Sequence, residues 1–96
     1  MKYTISSVNV YANILTTLDF AKPCKVVAVG WHNGTAVAFV EHPIGTGPYD
    51  FGRIVMMGVV PGGFIPDDMS QCAGVVTPPE SPFGQGVPML VYWRHL

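Results

Sequence analysis

Asn33-Gly34 lies between two β-rich runs, Lys25–Trp31 and Ala36–His42, and this arrangement restricts the fold more than any other feature of the chain. A two-residue hairpin turn of type I′ needs positive φ at both central positions, and Asn and Gly tolerate it. Centring the turn there predicts pairing of Trp31 with Ala36, Val29 with Ala38, Val27 with Val40 and Lys25 with His42. The opposite face then pairs Gly30 with Val37, Ala28 with Phe39 and Val26 with Glu41. Both faces are apolar in the middle. A sheet wetted on one side alternates polar and apolar residues, so each face of this hairpin needs a cover.

Composition limits what the cover can be. Charged residues are only 11% of the 96 positions and hydrophobic ones 49%, which excludes a disordered chain. Eleven glycines and nine prolines argue against a long helical bundle. A chain of this length makes one domain, 1–96, and buries roughly 60% of its surface unaided. With so few charges for the exterior, apolar surface is left over, which predicts a homo-oligomer or a bound partner.

The remaining elements follow from pattern. Lys2–Ile5 alternates like a short strand. Val8, Tyr11, Ala12, Leu15 and Leu18 recur at spacings of three and four, which predicts an amphipathic helix capped by Ser7 and ended by Asp19–Pro23. The Val and Thr residues leave a strand as the alternative for that segment. Arg53–Val60 reads as a central strand, Phe64-Ile65 as a short return strand, Asp67–Ala73 as one or two helical turns and Met89–His95 as a final strand. Pro43–Gly52 and Thr77–Val87 read as Gly/Pro-rich loops. The resulting expectation is an α+β fold: a small, mostly antiparallel sheet, one N-terminal helix and long loops.

Charge and cysteine usage narrow the partners and the compartment. The net charge is −1 and the five Lys and Arg are scattered, without the basic stripe of a nucleic-acid binder. No run of 18 apolar residues marks a membrane helix, and the N-terminus does not read as a signal peptide. Cys24 and Cys72 stand alone, read as two free buried thiols with a single disulfide as the alternative. Cytoplasm is the expected compartment.

Catalytic patterns are missing from the sequence. It contains no G-x-S-x-G elbow. Gly45–Asp50 lacks both the third glycine of a dinucleotide loop and the lysine of a phosphate loop. His32, His42 and His95 do not combine with the cysteines at any metal-ligand spacing. The adjacent carboxylates of Asp67-Asp68 point in different directions, as a solvated helix start would. The expectation is a non-enzymatic protein with no catalytic residues, no metal and no cofactor.

Aromatic residues carry the binding signal. Trp31 stands at the hairpin tip, Tyr49 and Phe51 in one loop, Phe83 in another, and Tyr92 and Trp93 beside Arg94 in the last strand. Most of them serve a small core, and Tyr92 and Trp93 must face opposite sides of their sheet. The functional alternative is a cleft where aromatics such as Trp31 and Tyr92 stack a planar ligand while Asn33, Arg94 and loop backbone amides hydrogen-bond it, with His32 beside them. Those five residues are the candidate ligand-binding set.

Residues 8–42 also carry a family likeness. Leu15 and Leu18 precede Lys25-Val26, Gly30-Trp31, Asn33-Gly34 and the apolar run Ala36–Val40. This order resembles the Thoeris anti-defence two family of phage proteins, with a helix followed by a K-V-x-x-x-G-W segment and an Asn-Gly turn. His32 is inserted between the Trp and the turn, and the family's later tryptophan-containing motif has no counterpart beyond Asp68–Gln71. The resemblance implies a small oligomeric inhibitor that acts in the host cytoplasm by sequestering a nucleotide-derived immune signal. Direct inhibition of a host defence protein and a small structural or assembly subunit are the alternatives.

Overall fold

The computed structural model describes residues 2–45, 47–69, 71–79 and 86–96. Seven strands follow in chain order: β1 (Lys2–Asn9), β2 (Thr16–Ala21), β3 (Lys25–His32), β4 (Thr35–Ile44), β5 (Phe51–Val59), β6 (Gln71–Val76) and β7 (Met89–His95). They form two antiparallel sheets, ordered β1-β4-β3 and β2-β5-β7-β6. The sheets pack face to face, with β3 against β6 and β2 against β4. Among the described residues no helix occurs, so the fold is all-β and the α+β expectation is corrected. None is therefore long and apolar enough to cross a membrane.

The segment expected to be the N-terminal helix shows why. β1 runs on to Asn9, and Val10 prolongs its ladder by donating its N–H to the Ala36 carbonyl at 3.0 Å. The chain then crosses to the second sheet. The Gly58 N–H donates to the Tyr11 carbonyl at 3.0 Å and the Asn13 N–H to the Gly58 carbonyl at 2.8 Å. Asn13, at φ 61°, turns the backbone, and Thr16–Ala21 pairs along β5. The helical spacing of apolar residues thus arises from a chain that changes sheets. Tyr11 and Leu15, placed by the helical reading on its buried face, are 49% and 58% exposed. Backbone hydrogen bonds to two different sheets, with β-branched Val8, Val10, Ile14, Thr16 and Thr17, win over the local period.

The hairpin forms where the turn signal puts it. Asn33 and Gly34 have φ of 50° and 79° between β3 and β4. Trp31 pairs with Ala36, Gly30 with Val37, Val29 with Ala38 and Ala28 with Phe39, as expected. Beyond Ala28 the register departs. A bulge at Val27 sets Val26 opposite Val40 and Lys25 opposite Glu41, so the expected pairs of Val27 with Val40, Val26 with Glu41 and Lys25 with His42 do not form. Val27 is left 43% exposed, while Val26 turns into the core and Lys25 faces an opposite charge.

The second sheet encloses the main core. Val26, Ala38 and Val40 from the first sheet meet Ile54, Met56, Val91 and Trp93 from the second. The Phe20 and His42 rings meet between the sheets, tilted by 39° with centroids 5.1 Å apart. A smaller cluster lies on the outer face of the four-stranded sheet, where Val55, Met57, Val59 and Tyr92 pack under Met69. Asp67-Asp68 forms a turn rather than helical turns, and Gln71 already begins β6. Phe64-Ile65 is not a strand, and Phe64 is 90% exposed. Residues 80–85 of the expected Thr77–Val87 loop, including Phe83, lie outside the described residues.

Candidate functional site

At the hairpin end of the sandwich the two sheets part around a cavity of about 260 Å³. Trp31 and Ala36 form its first-sheet side, Val10 and Tyr11 of the crossing segment one flank, and Val60 and Met89 the second-sheet side. Pro78 and Val87 close it from the β6–β7 connection. Drug-sized ligand sites occupy roughly 300–1,000 Å³, so this one has room for a single ring or one apolar side chain. Among its described lining residues only Tyr11 and Thr35 bring side-chain polar groups besides the Trp31 indole, and none is charged. None of the five Lys and Arg lines it.

Local structure builds this mouth. Trp31 is the last inward-facing residue of β3 before the turn, so its ring reaches past the end of the sheet and stays 41% exposed. Gly58 lets Met89 fill the floor, since a Cβ at that position would collide with the Met89 thioether. The Val60–Gly63 turn, closed by the Gly63 N–H to the Val60 carbonyl at 2.9 Å with Gly62 at φ 88°, holds Val60 at the rim.

The five candidate residues separate into two groups. Trp31 lines the cavity, and His32 and Asn33 are exposed beside it, with the Asn33 amide 3.2 Å from His32 Nε2. Tyr92 and Arg94 lie on the outer face of the other sheet, because β7 alternates and Trp93, 8% exposed, takes the inner face. There Tyr92 packs in the Met69 cluster and Arg94 pairs with Asp68 at 2.9 Å. The structure therefore does not bring Tyr92 and Arg94 together with Trp31. It adds Tyr11, Val60, Pro78, Val87 and Met89, which come from three separate segments with no common sequence signal.

Two further places hold chemistry-bearing groups. At the opposite end of the second sheet, two adjoining depressions of about 300 and 430 Å³ share Lys22, Gly52 and Arg53, the larger one bordered by Phe51. Arg53 Nε donates to Asp19 Oδ1 at 2.9 Å, and this hydrogen bond and the carboxylate charge push the guanidinium pKa up. Phe51 is 68% exposed at the same place. Burial pushes the neighbouring Cys24 thiol above its ordinary range, with the Lys22 charge pulling the other way. Cys72 is also a free thiol but is exposed, which corrects the expectation that both are buried.

The other place is between the sheets. Ser6 Oγ lies 2.7 Å from His42 Nε2, and His42 Nδ1 lies 3.0 Å from the Pro43 carbonyl oxygen. Donation from Nδ1 to that carbonyl leaves Nε2 to accept the serine proton. A nucleophile with an oriented base has this pattern, but Ser6 lines none of the cavities described above. The pair ties β1 to β4 across the first sheet's inner face. Among the described residues no three His, Cys, Asp or Glu stand together as a metal site would require. Comparison with protein-family models, curated proteins and solved structures gives no match for this chain.

Proposed function

We propose that this is a non-enzymatic binding protein whose mouth cavity receives an apolar anchor side chain of a partner protein. The observation that carries the reading is a one-ring cavity with no charge among its described lining residues, with the half-exposed Trp31 at its rim. Interfaces concentrate their energy where an aromatic or aliphatic anchor fills such a pocket and surrounding contacts exclude water. Inhibition of a host defence protein by direct docking, one of the roles the sequence leaves open, is the form of activity this site supports.

Sequestration of a nucleotide-derived signal is the second reading, and a different place favours it. Phosphates need cationic or N–H partners, which Lys22 and the Asp19-paired Arg53 offer beside the exposed ring of Phe51. Calorimetric titration with indole and with mono- and cyclic nucleotides separates the two readings. The anchor reading expects indole binding that Trp31→Ala weakens, and no nucleotide binding. Micromolar nucleotide affinity that Lys22→Ala removes and Trp31→Ala leaves intact would overturn it in favour of the second.

A further inference from the structure

The two sheets leave four strand edges, and three of them carry features that obstruct pairing with another strand. β3 is bulged at Val27. β6 is bulged at Ala73, with Gly74 at φ 141°, and lies close against β3, where a Cβ on Gly74 would sit 3.2 Å from Val29 Cγ2. β2 carries Asp19 in mid-strand and ends at Lys22-Pro23. β1 has none of these features. It is eight residues long, its register against β4 is continuous from Lys2 to Asn9, and Lys2 is its single charge.

The hydrogen-bond phase of β1 is also determined. The Val10 N–H donates to the Ala36 carbonyl, which makes Val10 and Ala36 a hydrogen-bonded pair. Such pairs alternate along an antiparallel ladder, and the register is unbroken. Val8, Ser6, Thr4 and Lys2 therefore bond to β4, while Tyr3, Ile5, Ser7 and Asn9 direct their N–H and C=O groups to the open edge. The side chains of Tyr3 and Ile5, 48% and 51% exposed, stand on the outer face at the same place.

We propose that this edge pairs with the β1 strand of a second copy of the chain, antiparallel about a two-fold axis at Ser6. In that register Ile5 faces the partner's Ser7, Tyr3 faces the partner's Asn9, and the symmetric pairs repeat them. All four outward-facing residues are then bonded, by about eight inter-strand hydrogen bonds, and the first sheet becomes a continuous six-stranded one. A two-fold interface must be self-complementary, and charge permits it here. The two Lys2 residues end about 27 Å apart at roughly 3.4 Å per residue, well beyond the Debye length of about 8 Å. No residue of Lys2–Asn9 lines the mouth cavity, so this inference stands apart from the anchor reading.

Sedimentation equilibrium of the full chain tests it. The wild type is expected to be a dimer at tens of micromolar. Ile5→Pro removes an outward N–H in each copy while sparing the β1–β4 bonds, and is expected to raise the dissociation constant at least tenfold, on the order of two lost hydrogen bonds. Ile5→Lys, which puts two charges near the axis, gives the same direction without altering the backbone. Amide exchange on the wild type provides a readout independent of any variant: protection of Ile5 and Ser7 rises with protein concentration. A monomeric wild type at about 500 µM (roughly tenfold above the expected range), a dimer indifferent to both substitutions, or Ile5 and Ser7 amides that exchange freely at every concentration would each overturn the proposal.

Discussion

Replacing Trp31 by alanine distinguishes a core tryptophan from one held open for a ligand. Trp31 keeps 41% of its surface exposed, whereas Trp93 keeps 8%. A tryptophan offers about 250 Å² for burial, so Trp31 buries roughly 150 Å² and Trp93 roughly 230 Å². At about 25 cal/mol per Å² these correspond to roughly 4 and 6 kcal/mol of gross burial. Alanine retains part of each, and the open mouth leaves no sealed void, so Trp31→Ala is expected to cost about 2 kcal/mol. Trp93→Ala also leaves a void between the sheets, and its cost belongs at about 4 kcal/mol or more. Urea unfolding of both variants, followed by tyrosine fluorescence and far-UV dichroism, measures the difference. Calorimetry with indole measures the second half of the claim, a loss of about 1–3 kcal/mol of affinity when the stacking ring is removed. Equal destabilisation by the two substitutions, or an indole affinity unchanged by Trp31→Ala, would refute the reasoning.

Other outcomes follow from the same geometry. Gly34→Val places a β-branched residue at φ 79° and is expected to cost about 1–3 kcal/mol, read from the unfolding midpoint. Ile54→Ala empties a fully buried position between the sheets and is expected to cost about 2–5 kcal/mol. One thiol, Cys72, should react promptly with a disulfide reagent at neutral pH, and Cys24 only after unfolding; two prompt equivalents would contradict the burial of Cys24. The raised Cys24 pKa means the folded state favours the neutral thiol. That contribution is complete below the ordinary thiol range near 9.0 and is lost as pH rises through it towards the folded value, so stability falls there. Cys24→Ser should flatten this part of the pH profile, which chemical unfolding at pH 7 and about pH 10 would show.

Local chemistry alone determined several parts of this protein. The Asn33-Gly34 turn demands positive φ whatever surrounds it, and Met89–His95 alternates strongly enough to show that Tyr92 and Trp93 face opposite ways. The need for a cover over the hairpin was also legible, from apolar residues at consecutive positions; the second sheet covers one face, and among the described residues no element packs on the other. The identity of the cover was not. Val8, Tyr11, Ala12, Leu15 and Leu18 fit a helical period because each serves a different place along a chain that passes from one sheet to the other. Periodicity records spacing, and it cannot register that the partners of those residues lie in two separate sheets. The bulge at Val27 had no turn residue to announce it, and it decides which valine enters the core. The site was divided in the same way. Trp31, His32 and Asn33 stay together because the hairpin is local, whereas Tyr92 and Arg94 end on the far face of the second sheet. Only the stacking of the sheets brings Tyr11, Val60 and Met89 around Trp31, because a cavity between elements is a property of their packing and of no single segment.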